Sequence, residues 1–428
     1  MRLRRSAIAV AAVAMIMATA CGGDTGPPVL NWYINPDNGG QEALAKTCTD
    51  DAAGAYEIEA SILPNNASQQ REQLIRRLAA NDESIDLMSL DPPFVPEFAE
   101  AGFLLDIPDD QAEEFTDGVV ESAITGATWK DELVGIPFWA NTQLLWFRRS
   151  VAEQAGLDLE SGPVTWEQVI DAAEQTGTTV GVQANRYEGY TVWINALIEG
   201  TGTSVLLNPE APVEDIELGL YEPGAEAGAA VITDLIDAGV AGPAVSTAME
   251  EEARALFQGD AGGFMVNWPY VWQAATGEVE SGALDPSVVE DIGWTIYPQT
   301  IEGEESAPPF GGITLGIGAF TEHPDAALEA AACITSPENR TEYMLFSGNP
   351  SASEESYSDP DVVAAFPMAE VILESLQNAK PRPQTPFYNE VSESLQRTYH
   401  PPSDVQPDST PDEAAELIVG VLKKEVLL

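Results

Sequence analysis

Short apolar stretches rich in branched and aromatic residues alternate with longer amphipathic stretches along most of the chain. Apolar runs of four to eight residues are typical of buried strands, and apolar positions three and four apart are typical of helices. This alternation predicts an α/β fold with largely parallel sheets. The predicted strands are Val29–Ile34, Tyr56–Leu63, Ile85–Leu90, Val134–Phe138, Gln143–Phe147, Thr179–Gln183, Gly263–Val266 and Ile313–Ile317.

Helix starts are marked by a capping residue that is followed by proline, or by Glu or Gln three positions later. Such signals stand at Thr165–Gln168, Ser336–Pro337 and Thr410–Glu413. Apolar residues at helical spacing predict further helices over Gln69–Leu78 and Phe366–Leu376, the latter with Pro367 in its first turn.

The start of the chain has the pattern of a targeting segment. A basic start precedes an apolar run from Ala7 to Met17, which is shorter than the roughly 20 residues that cross a bilayer. Small residues then lead to Cys21, as in a bacterial lipoprotein cleavage site. We therefore predict a signal peptide over 1–20, and a lipidated Cys21 with a flexible tether over 21–28. An ordinary signal peptide with an incidental cysteine is the alternative.

Composition narrows the function classes. The chain has 428 residues, 44% of them apolar, so it can bury a core and is not a disordered chain. It carries 18 basic and 70 acidic residues, a net charge of −52, which disfavours nucleic-acid and anionic lipid surfaces. Such acidity is a common surface adaptation to high external salt, and a calcium site is the less favoured alternative because no EF-hand-like loop is present.

A search for catalytic motifs finds little. The chain has two histidines and no nucleophile elbow, zinc motif, P-loop or dinucleotide fingerprint. The best enzyme hypothesis is a pair of carboxylates, Asp91 and Glu250, acting on a glycoside. With 70 acids in the chain, such a pair is easily found by chance. The sequence therefore predicts a protein that is not an enzyme and has neither cofactor nor metal.

Four short islands combine aromatic residues with amides or carboxylates near predicted strand ends. Sugars pack their C–H faces on aromatic rings and use their hydroxyl groups as both donors and acceptors, so this mixture favours a carbohydrate cleft. The alternative is that these rings only close the core. The islands are Asn31–Asn35, Trp139–Gln143, Gln183–Trp193 and Asn267–Tyr270.

Stretches covering most of the chain resemble the solute-binding lipoproteins of carbohydrate ABC importers, and most of all their trehalose-binding branch in actinobacteria. The resemblance implies a two-lobed fold of the type II, maltose-binding-protein-like kind, with a hinge and an interlobe cleft. Lobe 1 would comprise 29–140 plus 311–350, and lobe 2 would comprise 141–310 plus 351–428. The matching stretches are Gln70–Asn81, Asp86–Gly102, Asn141–Phe147, Val182–Asn195, Glu250–Trp268, Phe310–Ile317 and Arg382–Tyr388.

The same resemblance implies the ligand-binding residues. Carboxylates and amides would take sugar hydroxyls, Trp268 would stack on a pyranose ring, Arg382 would donate a fork of N–H groups, and glycines would let backbone approach the ligand. The implied set is Gln70, Asp91, Asn141, Glu188, Trp193, Glu250, Trp268, Gly311, Gly312 and Arg382.

Plainer roles remain open for several of these residues. Asp91 could cap a helix that begins at Pro92, and Glu250 could belong to a solvated acidic face. Arg382 could pair with the acidic surface, and Glu188 and Trp193 could serve packing.

The cysteines provide one further expectation. With Cys21 acylated, Cys48 and Cys333 remain, and an exported compartment permits disulfides. The resemblance raises the expectation that these two form a bridge.

The resulting prediction is a monomeric receptor on the extracytoplasmic face of the cell membrane, held there by its lipid only. It would bind trehalose or a related α-linked disaccharide and deliver it to the transmembrane subunits of a permease with a cytoplasmic ATPase. A maltose-type oligosaccharide is the alternative ligand. A polyamine receptor is a further alternative, against which an arginine in the pocket argues because it repels cations.

Overall fold

The computed structural model describes residues 26–159 and 162–428. The predicted signal peptide 1–20, Cys21 and most of the tether 21–28 lie outside the described residues. The strands are β1 Val29–Ile34, β2 Glu57–Ile62, β3 Leu87–Leu90, β4 Thr128–Trp129, β5 Glu132–Leu133, β6 Ile136–Thr142, β7 Leu144–Arg148, β8 Thr179–Gly181, β9 Gly262–Asn267, β10 Ile292–Thr295 and β11 Phe310–Ile317.

Helices cover both faces of the sheets that these strands form. They are α1 Gly40–Asp51, α2 Ala67–Leu78, α3 Val95–Glu100, α4 Asp109–Thr116, α5 Glu121–Ala127, α6 Arg149–Ala155, α7 Trp166–Thr176, α8 Glu188–Glu199, α9 Pro223–Asp237, α10 Glu250–Gln258, α11 Tyr270–Ser281, α12 Pro286–Glu290, α13 Pro324–Ile334, α14 Pro337–Ser347, α15 Pro360–Ala365, α16 Ala369–Asn378, α17 Tyr388–Tyr399 and α18 Thr410–Leu422. None of the helices in residues 26–159 and 162–428 is long and apolar enough to cross a bilayer.

The first sheet has the strand order β2-β1-β3-β11-β6. Its apolar strands bury Leu30 and Trp32 of β1 and Leu315 of β11 completely, in one cluster with residues of α1 and α13. The predicted bridge between Cys48 of α1 and Cys333 of α13 is confirmed, and it joins these helices at the edge of that cluster.

The second sheet has the strand order β10-β7-β9-β8. Only Gln143 separates β6 of the first sheet from β7 of the second, so one extended segment passes directly from one sheet to the other. The chain returns between β10 and β11 and crosses again between α16 and α17. These crossings divide the fold into two parts with a cleft between them.

The prediction of largely parallel sheets is wrong, because both sheets are mixed. β1 pairs in parallel with β2 and β3, and β8 pairs in parallel with β9. β11 runs antiparallel to both of its neighbours, and β7 runs antiparallel to β9 and β10. In these two sheets the antiparallel pairs all involve strands next to a crossing, where the chain enters a sheet from the other part of the molecule, while β4 and β5 form a separate antiparallel pair.

A helix begins at each of the three predicted starts, and two of the three predicted capping residues are confirmed. Thr165 and Gln168 form the capping box of α7, and Ser336 accepts a backbone hydrogen bond at the start of α14. Thr410 is not a cap but the first residue of α18, where its hydroxyl accepts from the Gln406 N–H. The helix predicted from Phe366 begins instead at Ala369, since Phe366 ends α15 and Pro367 prevents its continuation.

The lobe boundaries stay a prediction. Strands of the first sheet lie within 29–142 and 310–317, and strands of the second lie within 144–295. α16, which the predicted boundary assigns to lobe 2, shares an apolar cluster with Val120 and Ala123 beside the first sheet. The segment after residue 350 therefore contacts both parts.

Glu199, the last residue of α8, supplies a pH-dependent contribution to stability. Burial raises the pKa of its carboxyl to about 7, although Ser204 and Lys380 act in the opposite direction. In the unfolded chain the pKa of a glutamate is about 4.3. Because the pKa in the folded protein is higher, ionisation of Glu199 lowers the free energy of unfolding as the pH rises from about 4.3 through about 7.

We therefore expect Glu199→Gln to increase the free energy of unfolding at pH 8 by about 1–3 kcal/mol, with little effect at pH 4.5. Thermal melts of wild type and variant between these pH values test this. Glu174→Gln on the exposed face of α7 is the matched control. An equal effect of Glu199→Gln at both pH values would contradict the assignment.

Candidate functional site

A cavity of about 350 Å³ lies where the two parts of the fold meet. This volume is in the range of pockets that bind small organic ligands. A larger groove of about 830 Å³ is lined only by residues between Ala99 and Val134, away from this junction. Of the ten predicted ligand-binding residues, nine line the junction cavity, namely Gln70, Asp91, Asn141, Glu188, Glu250, Trp268, Gly311, Gly312 and Arg382.

Strand ends bring these side chains together. Asp91 follows β3, Asn141 is next to the last residue of β6, and Trp268 follows β9. Asn141 pairs with Gly311 of β11, so those two residues are neighbours in the first sheet. Ligands of open α/β sheets bind at strand ends because the backbone turns away there and leaves a crevice.

Arg382 lies at the floor of the cavity, with only 4% of its surface exposed. Its two terminal nitrogens donate to both oxygens of Asp91, at 3.1 and 2.5 Å. One of them also donates to Glu188 Oε1 at 2.6 Å. Asp91 follows a strand of the first sheet and Glu188 begins a helix packed beside the second sheet, so the guanidinium links the two parts.

The charge on Arg382 is maintained by these partners. Burial opposes its positive charge, but the Asp91 and Glu188 carboxylates and the Tyr388 ring hold its pKa well above the ordinary value. Asp91 is not a helix cap: its side chain makes no bond to the short helix that begins at Pro92.

Glu250 is the first residue of α10 and lines the opposite side of the cavity. Burial raises the pKa of its carboxyl, and the facing side chains of Tyr187 and Trp268 only partly offset the rise. Among the described residues no basic side chain forms an ion pair with it. Glu250 is therefore a desolvated acceptor without a cation, not part of a solvated acidic face.

Two buried donors of residues that line the cavity have no hydrogen-bond partner within the described residues. They are Trp139 Nε1 and Arg382 Nε. The Tyr187 hydroxyl, in contrast, faces the Glu250 carboxylate. The cavity wall therefore combines a desolvated carboxylate with the amide side chains of Gln70 and Asn141, which can both donate and accept.

Two glycines allow the close contacts at one wall. A Cβ on Gly311 would lie 3.0 Å from the Trp268 ring, so the indole occupies the space of the missing side chain. Gly312 has a φ of +113° and would place a Cβ 2.3 Å from the Trp139 carbonyl oxygen. Gly311 thus sets how closely Trp268 approaches the first sheet.

The sequence matches the family model of the bacterial extracellular solute-binding proteins over residues 41–341. This match covers well over half of the chain. The chain belongs to that family.

Two comparisons place this solute-binding protein more closely. It is 27% identical to a probable ABC transporter-binding protein of Deinococcus radiodurans over 308 residues, covering 68% of this chain and 69% of the relative. Its structure superposes on maltose-bound T. maritima MalE3 with a TM-score of 0.78 and 25% identity, covering 93% of this chain and all of the other. The predicted two-lobed, maltose-binding-protein-like fold is thereby confirmed, and the protein is a solute-binding protein rather than an enzyme.

A second curated relative has a different description. It is a probable amino-acid ABC transporter periplasmic-binding protein of Sinorhizobium fredii, 25% identical over 254 residues. The match covers 58% of this chain and 54% of that relative.

Trp193 is the predicted residue that the solute-binding protein does not bring to the cavity. It is fully buried, and its ring packs against Trp166 and Tyr190 in the core of the second part. On α8, Trp193 is five residues from Glu188, which turns it about 140° away from that side chain. Val192, four residues from Glu188, lines the cavity instead.

Sequence reasoning also missed some lining residues. Trp139, Tyr187 and Asn35 lie within the aromatic and amide islands, but no role distinguished them from their neighbours. The others carry no sequence signal beyond their position before a helix, namely Asn65, Asn66 and Met249.

We expect Gly311→Ala to displace the Trp268 ring, because the added methyl would lie only 3.0 Å from it. The near-ultraviolet circular dichroism spectrum of the variant should differ from wild type, with the far-ultraviolet spectrum unchanged. Gly277→Ala in α11 is the matched control, since nothing lies within 4 Å of its Cβ. Identical near-ultraviolet spectra for all three proteins would show that Gly311 does not set the position of Trp268.

Proposed function

We propose that this protein is a lipid-anchored receptor that binds trehalose, or a related α-linked disaccharide, and presents it to an ABC permease. The bound sugar bridges the two lobes, and the closed form docks on the transmembrane subunits as a monomer. A lipid on Cys21 would keep the receptor at the extracytoplasmic face of the membrane. The sugar leaves unaltered.

The observation that carries this proposal is the polarity of the cavity wall. The amide side chains of Gln70 and Asn141 can both donate and accept, and the Glu250 carboxylate can accept from further donors. A hydroxyl group supplies both at one atom, and a disaccharide presents many hydroxyls on a small volume. The Trp268 indole adds a flat surface for the C–H face of a sugar ring.

Lobe closure follows from the same contacts. The carbohydrate contacts come from both parts of the fold, with Gln70 and Asn141 on the first-sheet side and Glu250 and Trp268 on the second. A ligand shifts a conformational equilibrium only by its difference in affinity for the two states. A sugar that reaches both sets of side chains only in the closed form therefore favours closure.

Specific observations favour or disfavour three other ligands. A maltose-type sugar is the second candidate, because the structurally similar MalE3 was solved with maltose bound. An amino acid is suggested by the description of the S. fredii relative. However, an α-carboxylate requires a free cation, and among the described cavity residues the only basic side chain, Arg382, is already paired with Asp91 and Glu188. A polyamine would lie next to that same guanidinium.

Calorimetric titration of the purified protein distinguishes these ligands. We expect trehalose or maltose to bind reversibly with no release of glucose, and glycine, glutamate and spermidine to give no heat of binding. Heat from an amino acid or spermidine alone would overturn the proposal. Release of glucose from the disaccharide would overturn the assignment as a receptor.

Replacing the stacking surface tests where the sugar lies. We expect Trp268→Ala to weaken disaccharide binding by roughly 1–3 kcal/mol, the range for a lost aromatic contact with its burial. Trp272→Ala is the control, because Trp272 packs on Trp294 outside the cavity and should leave the affinity unchanged. Equal dissociation constants for wild type and Trp268→Ala would place the sugar elsewhere.

A further inference from the structure

The buried polar network behind Arg382 assigns a role to Glu188 different from ligand contact. We propose that Glu188 is a positioning residue, which acts on the sugar only through Arg382. The inference rests on the proposed function, and it concerns how that site is held in shape.

Both carboxylate oxygens of Glu188 already have donors from the protein. Oε1 accepts from Arg382 at 2.6 Å and from the Tyr388 hydroxyl. Oε2 accepts from the Ser392 hydroxyl at 2.7 Å. The side chain is 9% exposed, so little of it is open to a ligand although it lies at the cavity wall.

Further contacts hold the two side chains, Ser392 and Tyr388, whose hydroxyl groups donate to Glu188. Ser392 accepts from the Gln396 amide at 2.9 Å and shares a hydrogen bond of 2.8 Å with Thr191 on the next turn of α8. The Tyr388 ring meets Phe94 edge-on, with 5.3 Å between ring centroids. Hydrogen bonds from α17 therefore fix the position of the Glu188 carboxylate. The carboxylate in turn fixes the guanidinium of Arg382, which donates to it.

Arg382 is the basic member of this network, and it lines the cavity. Its terminal nitrogens donate to Asp91 and Glu188, and its Nε has no partner within the described residues. A planar guanidinium held at both terminal nitrogens has a fixed orientation, so the direction of its Nε–H is fixed too. The two carboxylates engage three of the five N–H groups of the guanidinium, so the Nε–H and one N–H of the second terminal nitrogen remain for the proposed contact with the sugar.

A direct contact between Glu188 and the sugar makes a different prediction. If Glu188 binds the ligand itself, its removal weakens binding whatever stands at position 382. If it only orients Arg382, its removal has no further effect once the guanidinium is gone. A double-mutant cycle separates these cases because it measures the coupling between two positions.

The experiment measures disaccharide affinity of the full protein by calorimetry. Arg382→Lys keeps a positive charge between the two carboxylates but removes the guanidinium with the N–H groups that it would offer to the sugar. We expect Glu188→Gln to weaken binding by about tenfold in the wild-type background and by less than about twofold in Arg382→Lys. Glu188→Asp, which keeps the charge, should retain more affinity than Glu188→Gln.

Glu250→Gln is the matched control, since Glu250 faces the cavity without an ion-pair partner. It should weaken binding by the same factor in both backgrounds. An equal loss for Glu188→Gln in both backgrounds would overturn the inference, because a residue that acts through Arg382 cannot act in its absence. Thermal melts of each variant show that the comparison is between folded proteins.

Failure of the proposed function has a different signature. In that case the wild-type protein shows no heat with any disaccharide. That result would contradict both the sugar site and the positioning role of Glu188. A wild-type protein that binds, with additive losses in the cycle, removes only the positioning role.

Discussion

A single guanidinium joins the two parts of this molecule at the floor of its cavity. Arg382 is almost fully buried and lies between Asp91, which follows a strand of the first sheet, and Glu188, which begins a helix beside the second. Burying a charge is costly unless it is paired and its remaining donors and acceptors are satisfied. Here the network extends through Tyr388 and Ser392, so the polar floor is supported over two helices.

This network divides the polar groups of the cavity into two sets. Asp91 and Glu188 are neutralised by the protein itself, which leaves the Glu250 carboxylate to be satisfied by a ligand. The amide side chains of Gln70 and Asn141 on the wall can both donate and accept. A ligand that donates and accepts without a strong charge would suit these groups, as the proposed sugar would.

The sequence predicts single strands and helices better than it predicts how the strands pair in the sheets. β1 begins and ends as its apolar pattern indicates, and the capping box at Thr165 starts α7. The short β10 was missed, because four residues that include glycine give little periodicity. Strand direction was also mispredicted, since it depends on where the chain crosses between the sheets, which no local pattern encodes.

In the site, too, local position is predicted better than contacts between residues that are distant in sequence. Family resemblance located strand-end residues such as Asp91 and Asn141, because these positions are fixed by the sheet. It placed Trp193 in the cavity, although helical geometry turns that ring into the core. It gave no sign that both oxygens of Glu188 are occupied, because the partners Tyr388 and Ser392 lie some 200 residues away in sequence.

The interaction that links the two parts also argues against Asp91 and Glu250 as a hydrolytic pair. A glycosidase needs two carboxyl groups free to act on the scissile bond, one as proton donor and the other as nucleophile or base. Glu250 is available in the cavity, but both oxygens of Asp91 are engaged by Arg382. Freeing Asp91 would leave a buried guanidinium without one of its two partners, which is strongly unfavourable. The pairing that stabilises the floor of the cleft thus removes the second carboxylate that cutting a sugar would require.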